Sequence, residues 1–277
     1  MEIEFVKVNP TQNMTILVTG AVDSAAYGEV ASALMAYEGV CAEQVGYVER
    51  AALPGAWARL QMAGGEFCGN ATMSLAAYLA WKKGLQCTEP REIQLESSGV
   101  GPVSCAVKAD GAAFLCTLRL SGAERVEERA FQLDGKGYRL AAILMPGVTH
   151  ILLPRGIAGK EPRAFAEHAA AAWAGEIETD AFGILLYDES SCSIEPFVTV
   201  KTSATRVWER GCGSGSAAVG IYRAHLAGRP TRSCVVQPGG AIEVDAGFGD
   251  SGADGVSITG RVRIVARGVF FYEAPPL

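Results

Sequence analysis

The sequence has little of what metal-binding, nucleic-acid-binding and membrane proteins require. It holds 3 histidines in 277 residues and no pair of cysteines spaced as CxxC, which argues against a zinc site of the usual ligand spacing. Acidic residues outnumber basic ones by 30 to 24, and no basic face stands out, which excludes a typical nucleic-acid binder. No apolar run approaches the roughly 18 residues of a membrane-spanning helix. We therefore expect no metal, no nucleic-acid partner and no membrane segment.

The composition indicates a folded cytoplasmic protein. Hydrophobic residues make up 49% of the chain, which is enough for one large core or two small ones. The first seven residues alternate and carry charge, a pattern of neither a signal peptide nor a transit peptide. The eight cysteines form no tight disulfide framework, so we expect most of them to be small buried side chains.

The chain contains an internal repeat centred on two cysteines. Cys68-Gly69-Asn70 and Cys212-Gly213-Ser214 lie 144 residues apart, and at this offset five of the 17 positions from 68 to 84 are identical. Chance would give about one identity at average residue frequencies. Asn70 and Ser214 are of types preferred at helix N-caps, and a glycine stands at the far end of each segment, at 84 and 228. Each half is thus predicted to carry a helix that begins just after Cys-Gly and ends at Gly.

Both predicted helices are apolar nearly all round, which is typical of a buried helix. Runs with strand periodicity flank each one, and each half has an earlier helical segment, at 25–37 and 163–174. A hairpin is predicted across Ala109–Gly111. We predict an α/β (α+β) protein of two pseudo-symmetric domains, each a strand-rich, barrel-like layer around a buried central helix. The break is expected near 121–129, giving domains 1–120 and 121–261, with 262–277 available to complete the first.

Two cysteines at helix starts suggest acid–base chemistry. A thiol at a helix N-terminus faces unpaired backbone N–H groups, and its pKa can fall from about 8.5 to roughly 3.5–7.5. The same N–H groups bind a carboxylate well. One thiolate would then remove a proton from the carbon beside the carboxylate, and the other thiol would return one from the opposite side. This inverts the centre without a cofactor.

Other interpretations of the cysteine segments are weaker. The loop Gly211–Gly215 lacks the lysine of a P-loop, and the acidic residue of a dinucleotide fingerprint is missing about 20 positions on. A redox pair would need CxxC. A cysteine hydrolase would need a partner histidine, but His225 lies at the far end of its helix and His150 is more typical of a core or cleft histidine.

At these residues the chain resembles the cofactor-independent racemases and epimerases that use two cysteines, typified by diaminopimelate epimerase. The resemblance implies that each Cys-Gly motif opens the central helix of one of two pseudo-symmetric domains. The family's Glu-Arg-Gly stands several residues ahead of the second cysteine, whereas here Glu209-Arg210-Gly211 runs directly into Cys212. The family's Asn-Pro-His is here Val148-Thr149-His150. Both departures argue against a second amino-acid head group in the substrate, and they leave Arg210 and His150 without an assigned role.

Several blocks are closer to the histidine racemases of staphylopine-type opine metallophore biosynthesis. They are Asn9-Pro10 with Asn13–Val18, Glu43–Gly46, Glu66–Ser74, Cys212–Gly215 and Gln237–Gly240. By this resemblance Asn13, Glu43 and Asn70 contact the substrate. Glu43 suits an imidazole, because a carboxylate accepts a hydrogen bond from a ring N–H.

The sequence thus predicts a racemase for histidine, with Cys68 and Cys212 as the acid–base pair and no cofactor. The helix starts at Gly69-Asn70 and Gly213-Ser214 are expected to bind the carboxylate of this small-molecule amino-acid substrate. A homodimer is left open. Two alternatives remain: an epimerase or racemase for another amino acid, diaminopimelate included, and a non-catalytic amino-acid-binding protein on the same scaffold.

Overall fold

A computed structural model describes residues 1–86, 88–201, 205–249 and 255–273. Their helices and strands in chain order are β1 (Glu2–Pro10), β2 (Thr15–Val18), α1 (Tyr27–Met35), β3 (Gln44–Glu49), β4 (Arg59–Met62), α2 (Gly69–Lys82), β5 (Arg91–Ser97), β6 (Gly101–Asp110), β7 (Ala113–Leu120), β8 (Arg125–Leu133), β9 (Lys136–Met145), β10 (Val148–Pro154), α3 (Pro162–Trp173), β11 (Ala181–Asp188), β12 (Ser193–Val200), β13 (Thr205–Trp208), α4 (Gly213–Ala227), β14 (Thr231–Gln237), β15 (Gly240–Ala246) and β16 (Val256–Phe271).

The chain divides into two compact units. Unit 1 comprises Met1–Leu118 with Thr259–Leu277, and unit 2 comprises Arg119–Ile258. The segment 121–129, where a break between halves is expected from composition, contains the beginning of β8 at Arg125. The backbone of β8 pairs with that of β9 from Arg125 to Leu133, which explains why a polar stretch forms a strand.

Unit 1 is a closed barrel. Its strands follow the order β1-β2-β3-β4-β5-β6-β7-β16, and β16 also pairs with β1, so the described strands of this unit form a ring. The closing pair is antiparallel and runs from Glu2 opposite Phe271 to Pro10 opposite Val262. The predicted hairpin is confirmed: β6 turns into β7 between Asp110 and Ala113, and Gly111 at φ 60° accommodates the turn.

Two crossovers in each unit position the helices. In unit 1 the strands β2 and β3 are parallel and joined through α1, and β4 and β5 are parallel and joined through α2. Unit 2 repeats this plan with β10 and β11 around α3, and with β12 and β14, between which β13 and α4 lie in sequence. A parallel pair requires such a long connection, so the repeat in the sequence is a repeat of crossovers.

The second helix of each unit is buried on all sides. Every residue of α2 from Asn70 to Ala80 is buried, and α2 packs against β1 to β6. In α4 the run from Gly215 to Ile221 is buried, and the helix packs on β9, β10, β12, β14 and β15. The predicted fold class, a strand-rich layer around a buried apolar helix in each half, is therefore confirmed.

The first helix of each unit is amphipathic and covers the sheet. Helix α1 buries Val30, Ala31 and Leu34, and it is shorter than predicted because a 3-10 turn at Ser24–Ala26 replaces its first residues. Helix α3 buries Trp173, whose indole stacks on Phe131 with ring centroids 4.6 Å apart.

The cysteines are more exposed than expected. Three of the seven described cysteines are buried, namely Cys105, Cys116 and Cys212. Cys68 and Cys192 are half-buried, Cys41 and Cys234 are exposed, and Cys87 lies outside the described residues. The expectation that most cysteines are buried is therefore wrong for the described chain, because several of them stand in turns or on the outer face of a strand.

Close packing of α4 predicts opposite effects of alanine at two helical glycines. A Cβ at Gly220 would lie 2.4 Å from Val244 Cγ1, whereas a Cβ at Gly28 in α1 would meet nothing within 4 Å. Gly220→Ala should destabilise the protein by about 1–3 kcal/mol through overpacking, and Gly28→Ala should stabilise it by up to about 1 kcal/mol through helix propensity. The midpoints of urea denaturation measure both. Equal shifts at the two sites would contradict the packing of α4 on β15.

Candidate active site

Cys68 is the N-cap residue of α2. Its backbone is extended, at φ -131° and ψ 111°, and its sulfur accepts a hydrogen bond from the N–H of Ala71 at 3.4 Å. The hydroxyl of Thr72 donates to the carbonyl oxygen of Cys68 at 2.8 Å. The thiol therefore lies over the first turn of the helix, among backbone N–H groups that have no intrahelical partner.

Cys212 makes the corresponding contacts at α4. Its backbone has φ -112° and ψ 111°, its sulfur accepts from the N–H of Gly215 at 3.3 Å, and the hydroxyl of Ser216 donates to its carbonyl at 2.8 Å. Each partner stands 144 residues after its counterpart in unit 1, so the repeat extends to individual hydrogen bonds.

The structure corrects the predicted helix caps. Asn70 and Ser214 are of N-cap type, yet both lie in the first turn, and the cysteine before each of them is the N-cap. The physical reason is that the chain reaches Cys68 and Cys212 in extended conformation, which places the sulfur in the position a serine oxygen usually takes. Gly69-Asn70 and Gly213-Ser214 then supply the first N–H groups of the two helices, a suitable arrangement for binding a carboxylate.

Gln44 orients the thiol of Cys68. The thiol donates to Gln44 Oε1 at 2.9 Å, and the amide is fixed because its Nε2 donates to Asn13 Oδ1 at 2.6 Å and to Thr15 Oγ1 at 2.7 Å. Asn13 is 1% exposed. The structure thus brings Asn13 and Cys68 together through a residue to which the sequence assigned no role. Glu43 precedes Gln44, is half-buried, and donates its N–H to the carbonyl of Met14 at 2.8 Å.

Ser98 holds the loop that leads into Cys68. Its hydroxyl donates to the carbonyl of Glu66 at 2.7 Å and accepts from the N–H of Met62 at 3.0 Å. The neighbouring Gly99, at φ 79°, lets the loop approach, because a Cβ there would lie 2.6 Å from the nitrogen of Phe67. The end of β5 therefore fixes the position at which α2 begins.

Gln237 holds the start of α4 at Cys212. Its Oε1 accepts from the N–H of Cys212 at 2.6 Å, and its Nε2 donates to the hydroxyl of Ser216 at 2.8 Å. In the turn after it, Gly239 donates its N–H to the carbonyl of Arg210 at 2.7 Å. The side chain of Arg210 is exposed and donates to the carbonyl of Pro238 at 3.3 Å. Arg210 thus helps to hold the segment before Cys212 against this turn.

The pKa of the Cys212 thiol is raised well above its ordinary value. Burial is the main cause, and the carboxylate of Glu209 adds to it through its charge and a hydrogen bond. The hydroxyl of Ser214 and the N–H of Gly215 act in the opposite direction. The expectation of a lowered pKa at a helix start is therefore wrong for Cys212, because the loss of water at a 4% exposed residue outweighs the N–H groups.

His150 is connected to Cys212 through Ser214. The ring nitrogen Nε2 lies 2.9 Å from Ser214 Oγ, and this oxygen lies 3.5 Å from Cys212 Sγ. The imidazole is fully buried, and burial lowers its pKa to about 4. His150 is thus neutral near pH 7, and it belongs to the surroundings of Cys212 rather than only to the core.

The described ranges contain neither a group of three or more His, Cys, Asp or Glu side chains placed to hold a metal ion nor a helix long and apolar enough to cross a membrane.

The side chains that sequence reasoning missed are mainly amides and hydroxyls. Gln44 and Gln237 lie within blocks that carry the resemblance, but nothing in a single sequence shows that they bond to a cysteine. Ser98 gives no signal in the sequence, and Glu209 stands out only as part of the Glu-Arg-Gly segment, with no role of its own assigned. The contacts depend on strand ends that meet only in the folded chain.

The described fold is similar to that of solved racemases and epimerases. The chain is 14% identical to a solved hydroxyproline epimerase from Agrobacterium vitis, which contains bound trans-4-hydroxy-L-proline. The two agree with a TM-score of 0.69 over 97% of this chain and 92% of the other. At this identity the likeness concerns the fold.

Sequence relatives identify the family. The family model for the histidine racemase CntK N-terminal domain matches residues 2–271. A histidine racemase of Staphylococcus aureus (strain Mu50) is 30% identical, with 98% of each chain covered. One from Fusobacterium nucleatum subsp. nucleatum is 29% identical over 96% of each chain. This chain belongs to the histidine racemase family, as the resemblance in its sequence predicted.

The contacts of Gln237 predict a large effect of its removal. Gln237→Leu leaves the buried N–H of Cys212 and the Ser216 hydroxyl without their partner, so we expect a loss of about 1–3 kcal/mol in stability and a lower catalytic rate. Gln94→Leu is the matched control, because Gln94 is exposed and its bond to Ser104 faces solvent; it should change stability by less than about 0.5 kcal/mol. Denaturation midpoints that are the same for both variants would contradict the assigned role.

The lowered pKa of His150 predicts a pH-dependent stability. The unfolded chain binds a proton at His150 near pH 6.5, but the folded protein does so only near pH 4. The free energy of unfolding should therefore fall below pH 6.5, by up to about 1.4 kcal/mol per pH unit from this group, and level off below pH 4. His150→Gln removes this contribution, so the difference between wild type and variant isolates it. Parallel stability curves between pH 4 and 7 would contradict a neutral buried imidazole.

Proposed function

We propose that this protein interconverts L- and D-histidine without pyridoxal phosphate, using Cys68 and Cys212 as its acid–base pair. Membership of the histidine racemase family supports the substrate, and the two helix starts support the chemistry. The proposed biological use is to supply D-histidine for the biosynthesis of an opine metallophore, which rests on the resemblance of the sequence blocks.

One observation carries the two-cysteine proposal: both helix starts are built alike. In each unit a cysteine caps the buried central helix, its sulfur accepts an N–H three residues on, and a hydroxyl four residues on holds its carbonyl. A single cysteine at a helix start is an ordinary structural feature. Two that share these contacts in a repeated fold are what an acid–base pair with equivalent roles requires.

The reaction moves one proton at a time. In one direction a thiolate takes the α-proton, and the electron pair left on the α-carbon is shared with the carboxylate of the substrate. The second thiol then delivers a proton to the opposite face of the carbon and becomes a thiolate. No oxidation or reduction occurs. One sulfur has gained a proton from the substrate and the other has given one to it, and exchange of protons with solvent returns both sulfurs to their starting states.

The same helix starts are proposed to bind the substrate. The N–H groups at Gly69-Asn70 and Gly213-Ser214 are proposed to hold the carboxylate, where the positive helix ends also stabilise the charge that develops during proton removal. Asn13, Glu43 and Asn70 are the proposed further contacts. Glu43 would accept a hydrogen bond from the imidazole N–H, a contact that an aliphatic amino acid lacks.

Proton NMR in D2O tests both the reaction and its substrate. Reduced protein, purified without pyridoxal phosphate, is incubated separately with L-histidine, D-histidine, LL-diaminopimelate and several other amino acids. We expect the α-proton signal of histidine to disappear while the opposite enantiomer forms, because each delivered proton comes from a thiol that exchanges with solvent. Hydroxylamine, which traps pyridoxal phosphate, should leave the rate unchanged.

Cysteine variants form the second arm of this experiment. Cys68→Ser and Cys212→Ser should each lower the rate of racemisation by about 10²–10⁴-fold, because a serine hydroxyl is a far weaker acid than a thiol and does not ionise near neutral pH. Cys234→Ser is the matched control, since Cys234 is exposed on β14, and it should leave the rate unchanged.

The other outcomes separate the alternatives. Exchange of diaminopimelate in place of histidine would keep the mechanism and overturn the substrate. Binding of histidine, measured by calorimetry, without exchange in the wild type would favour the amino-acid-binding protein. Full activity in either cysteine variant would overturn the two-cysteine mechanism.

A further inference from the structure

The surroundings of Cys212 oppose its use as a base. Burial and the Glu209 carboxylate both favour the neutral thiol, and the N–H of Gly215 is a single backbone donor on the other side. A base that removes an α-proton must reach the thiolate form during the cycle. A further hydrogen-bond donor aimed at the sulfur would therefore assist the reaction. The hydroxyl of Ser214, 3.5 Å from the sulfur, is the side chain in a position to supply it.

A serine hydroxyl has one proton, so its direction decides its effect. If Ser214 donates to His150, it offers the sulfur only a lone pair; if it accepts from His150, its proton is available for Cys212. The distance of 2.9 Å between His150 Nε2 and Ser214 Oγ allows either arrangement. The tautomer of the imidazole therefore determines whether the sulfur meets a donor.

Gly183 settles the tautomer. It stands directly opposite His150 in the parallel pair of β11 and β10, and a Cβ on it would lie 2.5 Å from Nδ1 and 2.9 Å from Cε1. The ring thus occupies the space of a missing side chain, with Nδ1 against the Cα–H of glycine. Nδ1 is buried and has no hydrogen-bond partner. A buried N–H without an acceptor is costly, whereas a lone pair against a C–H group is tolerated, so the proton resides on Nε2.

We propose that His150 is a positioning residue for Cys212: its Nε2–H donates to Ser214, which turns the Ser214 hydroxyl proton toward the sulfur and stabilises the thiolate when Cys212 acts as the base. The catalytic part of this inference rests on the proposed two-cysteine mechanism. Gly183 is part of the device, because any larger residue would displace the ring.

The hydrogen bonds from His150 to Ser214 and from Ser214 to Cys212 do not change near neutral pH, because the protonation state of His150 does not change there. His150 has a pKa of about 4, so the ring stays neutral and keeps one proton across neutral pH. The ionisable groups that act on the Cys212 sulfur are Glu209, which favours the thiol, and His150, which acts through Ser214. Opposing influences of this kind would set the pH at which Cys212 loses its proton.

The tautomer is measured directly by nitrogen NMR. The full chain, labelled with ¹⁵N-histidine, is recorded between pH 6 and 8, and His150→Gln identifies the signals of His150 among the three histidines. We expect a protonated Nε2 and an unprotonated Nδ1. A proton on Nδ1 would overturn the proposal, as would an imidazolium in this range.

Variants test the effect on the sulfur. His150→Leu and Ser214→Ala remove the donor chain, so the acid limb of the pH profile of kcat/KM and the pH midpoint of Cys212 alkylation by iodoacetamide should both move up by about one unit. Near neutral pH, kcat/KM should fall about tenfold. His150→Gln retains an N–H donor at the position of Nε2 and should restore most of both losses. His225→Gln, at an exposed residue of α4, should behave as wild type.

Circular dichroism and alkylation of Cys68 distinguish loss of structure from loss of the donor. All four variants should keep the wild-type spectrum and the wild-type pH midpoint of Cys68 alkylation. A Cys212 midpoint that His150→Leu leaves unchanged in a folded protein would overturn the proposal. So would a His150→Gln protein that folds but behaves as His150→Leu. The NMR and alkylation measurements need no substrate. If no amino acid is racemised, the proposed function fails while these measurements still decide the state of His150 and Cys212.

Discussion

The architecture of both units depends on one constraint: each apolar central helix is enclosed by the sheet of its own unit. In both units a cysteine of extended backbone conformation precedes this helix, and its thiol accepts the N–H group that a serine or aspartate oxygen would usually accept. This is a weak cap, because sulfur is a poor acceptor. The helix does not rely on it, since α2 and α4 are stabilised by apolar burial on all sides. The sheet that encloses each helix thus stabilises it enough for a thiol to serve as its cap.

That burial has a cost for the same group. A helix enclosed by its sheet brings its first residues out of water, so Cys212 gains the N–H groups of the helix start and loses solvation together. The loss of solvation is the larger effect on the pKa of Cys212, and the carboxylate of Glu209 raises that pKa further. The hydroxyls and amides around the two cysteines are therefore important, because they contact the thiols or the backbone beside them. Gln44 and Gln237 reach these positions from the ends of neighbouring strands, and Ser214 from the first turn of α4 itself.

The sequence predicts features that depend on local pattern. The repeat, the two apolar helices and the hairpin at Gly111 follow from spacing and composition, and the structure contains all three. The caps could not be predicted in this way. Asn70 and Ser214 have the right chemistry for an N-cap, but the extended dihedral angles lie two residues earlier, at the cysteines, and depend on how the folded chain enters each helix. The raised pKa of Cys212 cannot be predicted from local pattern either, because its burial depends on chain segments distant in sequence.

Closure of the first barrel has a consequence for how the protein is made. β16 completes the ring by pairing with β1, more than 250 residues earlier in the chain, whereas the strands of unit 2 lie in one continuous segment. During synthesis the central helix of the first barrel is made long before the last strand of that barrel, and one edge of β1 stays unpaired until β16 has been synthesised. Unpaired strand edges readily join other chains. The acidic side chains of Glu2 and Glu4 on β1 are well placed to discourage such association while the nascent chain waits for its closing strand.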